Sequence, residues 1–336
     1  MTLIRPTVEV AGTSGSGRRP GTRRAVAVLA LVVLAALIPL LGPSAALHGT
    51  GEAAAPGVGG IALLRAVLFG ALCVPLGELF VNRLARTVPG APQNGPRSWA
   101  PYAAGAGFVA ALGLASVVAT GNLVPHSLAQ IDVGGLYRSR DGKLALLEVN
   151  AFAVAALCAR SRRPGLQVWP LAAVVVAEAL RVHPASEHSP LVGSELTLVH
   201  LTCAALWAGG LLHVLRTLRR WRGTEAGVAL LGLYARVAAV LLAAITATGV
   251  WSSLRRMPAG TILDQLTTTA YGRTLLAKVI LVAAVAVLAL WARSRLRRAA
   301  DPLTACSPAR AEVVALGVVV MVSGLLTALP VPIRWH

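Results

Sequence analysis

The sequence predicts an all-α integral membrane protein, a polytopic bundle crossing the bilayer about nine times. Three observations predict it: apolar blocks of membrane-spanning length, a scarcity of charge, and basic residues that alternate from loop to loop. Of the 336 residues, 56% are apolar and 13% are charged. A soluble domain carries about 25% charged residues. Crossing a hydrocarbon core of about 30 Å takes about 20 mostly apolar residues as a helix. Backbone groups inside lipid have no water to bond, so each such block should satisfy them internally as a helix.

Blocks of this kind fall at 24–42, 58–81, 99–120, 143–160, 166–183, 194–215, 229–252, 272–292 and 311–330. Glu148 and Asn150 interrupt the fourth. The first also carries the marks of a signal peptide: a basic lead, an apolar run and the small residues Ser44-Ala45-Ala46. Its length favours a retained anchor, and cleavage would leave eight spans. Residues 1–23 read as a disordered basic cytoplasmic tail, 24–190 as a five-helix membrane region and 191–336 as a four-helix membrane domain.

Orientation follows from the arginines. One set of alternate loops, together with the N-terminal tail, holds twenty basic residues, among them the runs Arg216–Arg222 and Arg293–Arg298. The opposite set holds seven: Arg138, Arg140, Lys143, Arg255, Arg256, Arg273 and Arg334. The positive-inside rule then places the N-terminus in the cytoplasm and the C-terminus outside. A net charge of +18 would point to nucleic acid in a soluble protein. Here the basic runs sit between apolar blocks and read as topology signals, so no nucleic-acid partner is expected. The lipid bilayer is the expected partner, in a multi-pass protein of the plasma (inner) membrane. Cys73, Cys158, Cys203 and Cys306 form no CxxC pair, which argues against a disulfide framework or a thiolate metal site.

With that topology, six of seven histidines (His48, His126, His183, His188, His200 and His336) fall on or near the outer side, and His213 lies near the cytoplasm. Arg65, Glu148, Asn150, Glu178, Arg181, His200 and Lys278 belong to apolar spans, each near the outer end. Ionisable groups at such depth usually face the bundle interior and pair. Snorkelling along an alkyl stem accounts for Arg65 and Arg181. It does not account for Glu148 or His200, whose side chains are short. The expectation is an outer-facing polar cavity lined by His200, Glu148 and Lys278, with Lys278 pairing to Glu148 or Glu178. Imidazole suits copper and zinc, and carboxylate broadens the choice. His183, Glu187 and His188 add two imidazoles and a carboxylate in one short loop. The candidate metal ligands are therefore His200, His183, His188 and Glu148. Haem fits poorly, because His200 and His213 are about 20 Å apart along one helix and cannot ligate a single haem together.

Three stretches in residues 194–330 carry a family likeness. His200-Leu-Thr-Cys-Ala-Ala-Leu-Trp207-Ala-Gly209-Gly210-Leu is the first. Tyr234-Ala-Arg236 leading into Thr248-Gly249-Val250 is the second, and Thr269-Ala-Tyr271-Gly272-Arg273-Thr-Leu-Leu-Ala-Lys278 the third. They resemble the copper resistance D (CopD) family, in its H-x6-W-x-G-G-L and T-x-Y-G-R-x-L-x-x-K patterns. The resemblance implies copper transport, uptake or resistance, with copper as the ion handled and, in some members, a periplasmic copper-binding partner. It implies no enzymatic activity. The chain departs from an ideal copper pathway in having only three methionines. Trp207, Gly209, Gly210, Tyr271, Lys278 and Glu178 are read as supporting residues, and Gly209-Gly210 as a point where a neighbouring helix comes close. Two other functions stay open: a membrane assembly factor delivering copper to a respiratory oxidase, and a haem-binding redox protein.

Overall fold

The computed structural model describes residues 20–53, 55–121, 132–183, 189–257, 260–298 and 306–330. His126, His188, His336 and residues 1–19 of the expected tail lie outside them. All regular structure among the described residues is helical. The chain divides into two compact units, residues 1–34 and 35–336. In the first, the described residues 20–34 are the opening half of α1, Pro20–Leu47. The second holds the rest of α1 and every other helix.

These are α2 (Val58–Ala85), α3 (Ala100–Thr120), a short α4 (Val133–Arg138), α5 (Arg140–Arg160) and α6 (Val168–Val182). Then come α7 (Pro190–Arg220), α8 (Glu225–Arg256), the short α9 (Ile262–Thr268), α10 (Ala270–Arg298) and α11 (Cys306–Leu326). Among the described residues eight segments are long and apolar enough to cross a membrane, the last being Ala270–Trp291 in α10. The ninth expected span, 311–330, falls on α11, whose 21 residues equal α3 and α5 in length.

Four helices start on the same local device. Asp132, Ser139, Thr224 and Thr269 each accept a side-chain hydrogen bond from the backbone N–H of a glycine three residues on, at 2.8–3.2 Å. A short polar side chain followed by an unhindered amide satisfies one of the donors that a helix start leaves unpaired. In the stretch Thr269-Ala-Tyr271-Gly272 this same device begins α10, so part of the family-like pattern is a cap.

Helix α2 is the centre of the packing, touching α3, α7 and α11. Its crossing with α7 is made by glycines. A Cβ built on Gly77 would run into the backbone of Gly209, and one on Gly209 into the Cys73 carbonyl and Gly77. Gly324 of α11 meets α2 in the same way, with Ala66 N only 2.6 Å from a built Cβ. Small residues let backbones touch, which is how helices gain dispersion contacts when lipid supplies no hydrophobic driving force. The close approach expected at Gly209-Gly210 is present, and its partner is α2. Gly210 itself is covered by the rings of Tyr234 and Phe80, and Tyr234 donates to the Trp207 carbonyl at 2.6 Å. Meanwhile α8 and α10 turn Val240, Val250, Trp251, Leu254, Val279, Ile280, Val287 and Leu290 outward, a surface suited to lipid rather than water.

Candidate functional site

Polar side chains gather in three places. Two lie towards the end of the bundle where α2, α5, α7 and α10 begin, called here the His48 end. Arg273 of α10 knits that end together by donating to the His48 carbonyl at 2.7 Å. There, too, Glu52 accepts from the Ala270 amide at 3.2 Å, and Arg140 from α5 donates to the Leu180 carbonyl at the close of α6 at 2.8 Å.

The first cluster joins α2, α5 and α6. Glu178 Oε2 takes Arg65 Nη1 at 2.8 Å, and its Oε1 takes Arg181 Nη1 at 3.4 Å. Arg181 Nη2 reaches Glu148 Oε2 at 2.9 Å. That contact is an ion pair without hydrogen-bond geometry, and neither Glu148 oxygen has a hydrogen-bond partner. Both carboxylates are buried, Glu148 completely. Two acids and two guanidiniums give a neutral group, the arrangement that makes buried charge tolerable in a bilayer. Arg65 and Arg181 therefore do not snorkel; they are drawn inward by Glu178. Lys278 has no share in this cluster, contrary to the pairing expected with Glu148 or Glu178, because the arginines of α2 and α6 already occupy those acids.

The second place joins α7, α8 and α10. His200 is half-buried, and its Nδ1 lies 3.0 Å from Thr248 Oγ1. The ring lies beside Gly249, where a built Cβ would meet its Cε1 at ordinary contact, 3.5 Å. Lys278 lies within electrostatic reach of the ring, so the expected neighbourhood of His200 and Lys278 is present. Glu148 belongs to the first cluster instead, and the single cavity expected around all three resolves into two groups. His183 closes α6. It is buried, with Nε2 at 2.9 Å from Thr197 Oγ1 and its ring over Gly193. Tyr271 is buried and receives Arg256 Nη1 at 3.2 Å, tying α8 to α10. Among the described residues no three His, Cys, Asp or Glu side chains converge as a metal-holding group.

The third cluster, at the opposite end, was not anticipated. Glu78 of α2 accepts from Arg216 at 2.9 Å, from Ser98 Oγ at 2.6 Å and from the Trp99 amide at 2.7 Å. Arg216 also donates to the Arg97 carbonyl and lies 3.7 Å over the Trp99 ring. His213 is buried between Glu78, at 3.8 Å, and Asn82 Oδ1, at 3.2 Å. The group clamps the 86–99 connection onto α7. An acid within an otherwise apolar span was the available signal, the same one that singles out Glu148.

Fold and site together define a polytopic helical membrane protein with paired charges buried inside it. Residues 228–327, which span α8 to α11, match the family model described as copper resistance protein D. That bears out the resemblance for this segment, including Thr248, Gly249, Tyr271 and Lys278. His200, Trp207, Gly209 and Gly210 lie before it, on α7. No curated protein and no solved structure matches the chain.

Proposed function

We propose that this chain handles copper at the plasma membrane, as a transporter or resistance protein rather than an enzyme, with the ion arriving from the His48 end. The observation that carries the reading is the match of residues 228–327 to copper resistance protein D, whose helix α8 supplies the hydroxyl against His200. The distribution of arginines supports an outward-facing His48 end. His200 is the ligand best suited to a passing ion, being half-buried with a second ring nitrogen that has no hydrogen-bond partner among the described residues. His183, which closes α6 nearer that end, would meet the ion before His200 does; Glu148 belongs to the arginine-paired cluster, and His188 lies outside the described residues. A periplasmic copper-binding protein is the natural donor at that end.

Proteoliposomes of the purified protein should accumulate copper above empty vesicles, with a known copper transporter as positive control. His200→Ala should remove most of that flux at equal protein level, whereas His48→Ala, on an exposed turn, should not. Wild-type protein that neither binds copper nor passes it would end the proposal.

A further inference from the structure

The His200 ring lies against α8, and the hydrogen bonds there decide which of its nitrogens carries the proton. Thr248 Oγ1 sits 2.7 Å from the Ala244 carbonyl oxygen, 3.1 Å from that of Ile245 and 3.0 Å from His200 Nδ1. A hydroxyl has one proton to give and two lone pairs to receive with. Suppose that proton went to Nδ1. The hydroxyl oxygen would then face the Ala244 carbonyl at 2.7 Å with no proton between them, lone pair against lone pair, where the low dielectric makes an unmade bond most costly. Given instead to Ala244, the hydroxyl makes the back-bond to the preceding turn that threonine adopts within helices. Its free lone pair then receives Nδ1–H.

The other nitrogen is left bare. Among the described residues, Nε2 of His200 has no hydrogen-bond partner. The charged group acting on the ring is the Lys278 ammonium, which has protons to give and no lone pair to receive.

We propose that Thr248 is a positioning residue that holds His200 as the Nδ1–H tautomer and so presents Nε2 as an open lone pair to a metal cation. Ligating histidines are commonly fixed in this way, by a partner on the nitrogen that does not bind metal. That the cation is copper rests on the function proposed above; the tautomer does not. The arrangement supplies one ligand, and the remaining coordination positions stay with the arriving ion's own water or carrier ligands. This suits cargo that must leave again.

The test is nitrogen-15 NMR of histidine-labelled protein in lipid, with the His200 signals assigned by their loss in His200→Gln. Wild type should show Nδ1 protonated and Nε2 bare. Thr248→Val keeps the shape and removes the hydroxyl; it should release the ring into a mixture containing Nε2–H and weaken Cu(I) binding by roughly 10–100-fold. Thr248→Ser should preserve both. A wild-type ring protonated on Nε2 overturns the proposal with no variant needed. So does a Thr248→Val ring that keeps its tautomer, or one that changes tautomer without loss of copper affinity. Should the tautomer respond as expected in a protein that binds no copper, the function proposed above fails and the positioning of His200 by Thr248 stands.

Discussion

Glu178 engages two guanidiniums and Glu148 one, so the two acids should differ sharply under amide substitution. Glu178→Gln leaves Arg65 and Arg181 with only Glu148 to neutralise them, and should cost on the order of 3–5 kcal/mol, as breaking a buried pair does. Glu148→Gln leaves Glu178 holding both arginines and should cost less. Thermal unfolding in detergent should rank wild type above Glu148→Gln above Glu178→Gln, and the double variant Arg65→Gln/Glu178→Gln should recover part of the loss. Equal losses for the two single variants would show that the cluster does not depend on Glu178 in this way. The individual charges were legible in the sequence, since any ionisable group inside an apolar span stands out. Their pairing was not, because it depends on which helices are neighbours. The role of Thr248 was hidden for another reason: one threonine in an apolar helix looks the same whether or not an imidazole leans on it. His213 shows the reverse. Its sequence position makes it a mild cytoplasmic comparator for His200, yet it is buried against Glu78 and Asn82, and removing it would disturb the clamp on the 86–99 connection.

At the scale of helices, the glycine crossing between α2 and α7 permits a clean comparison. Gly77→Leu would force a side chain into the backbone at Gly209, whereas Gly70, two turns earlier on the same face of α2, has open space around its Cβ position. Gly77→Leu should abolish folded, monodisperse protein. Gly70→Ala should leave it unchanged or slightly firmer, because alanine is the better helix former by about 1 kcal/mol. A Gly77→Leu protein that purified normally would mean that α2 and α7 are not in backbone contact. The sequence showed one half of this crossing. Gly209-Gly210 is a visible small-residue pair, while Gly77 is an isolated glycine among the several that α2 carries. Helix number and order were legible because span length follows from bilayer thickness. The helix starts were less so: α5 begins at Arg140 rather than 143 and α7 at Pro190 rather than 194, since polar cap residues and the turns they start extend beyond the apolar blocks.

For the whole molecule, the helix on which α3, α7 and α11 all pack is α2, which lies outside the segment matched by the family model. Its glycine contacts reach forward to α7 and to Gly324 of α11, so the late helices complete their packing against an early one. The two halves of the chain are thus joined by interlocked surfaces as well as by the peptide link between α6 and α7. A gene cut at residues 184–188, with both pieces expressed together, should yield a complex in which a tag on one piece retrieves the other through detergent washing. Gly77→Leu in the first piece should leave the second behind, while the same pieces carrying Gly70→Ala should still be retrieved as a pair. Chains that fail to find each other when unmutated would show that covalent continuity, and not mutual fit, keeps these helices in register. If they do find each other, the assembly works like a dovetail joint: the early helices form one half, the late helices slide onto it, and the protein can be taken apart and rebuilt without ever being unfolded.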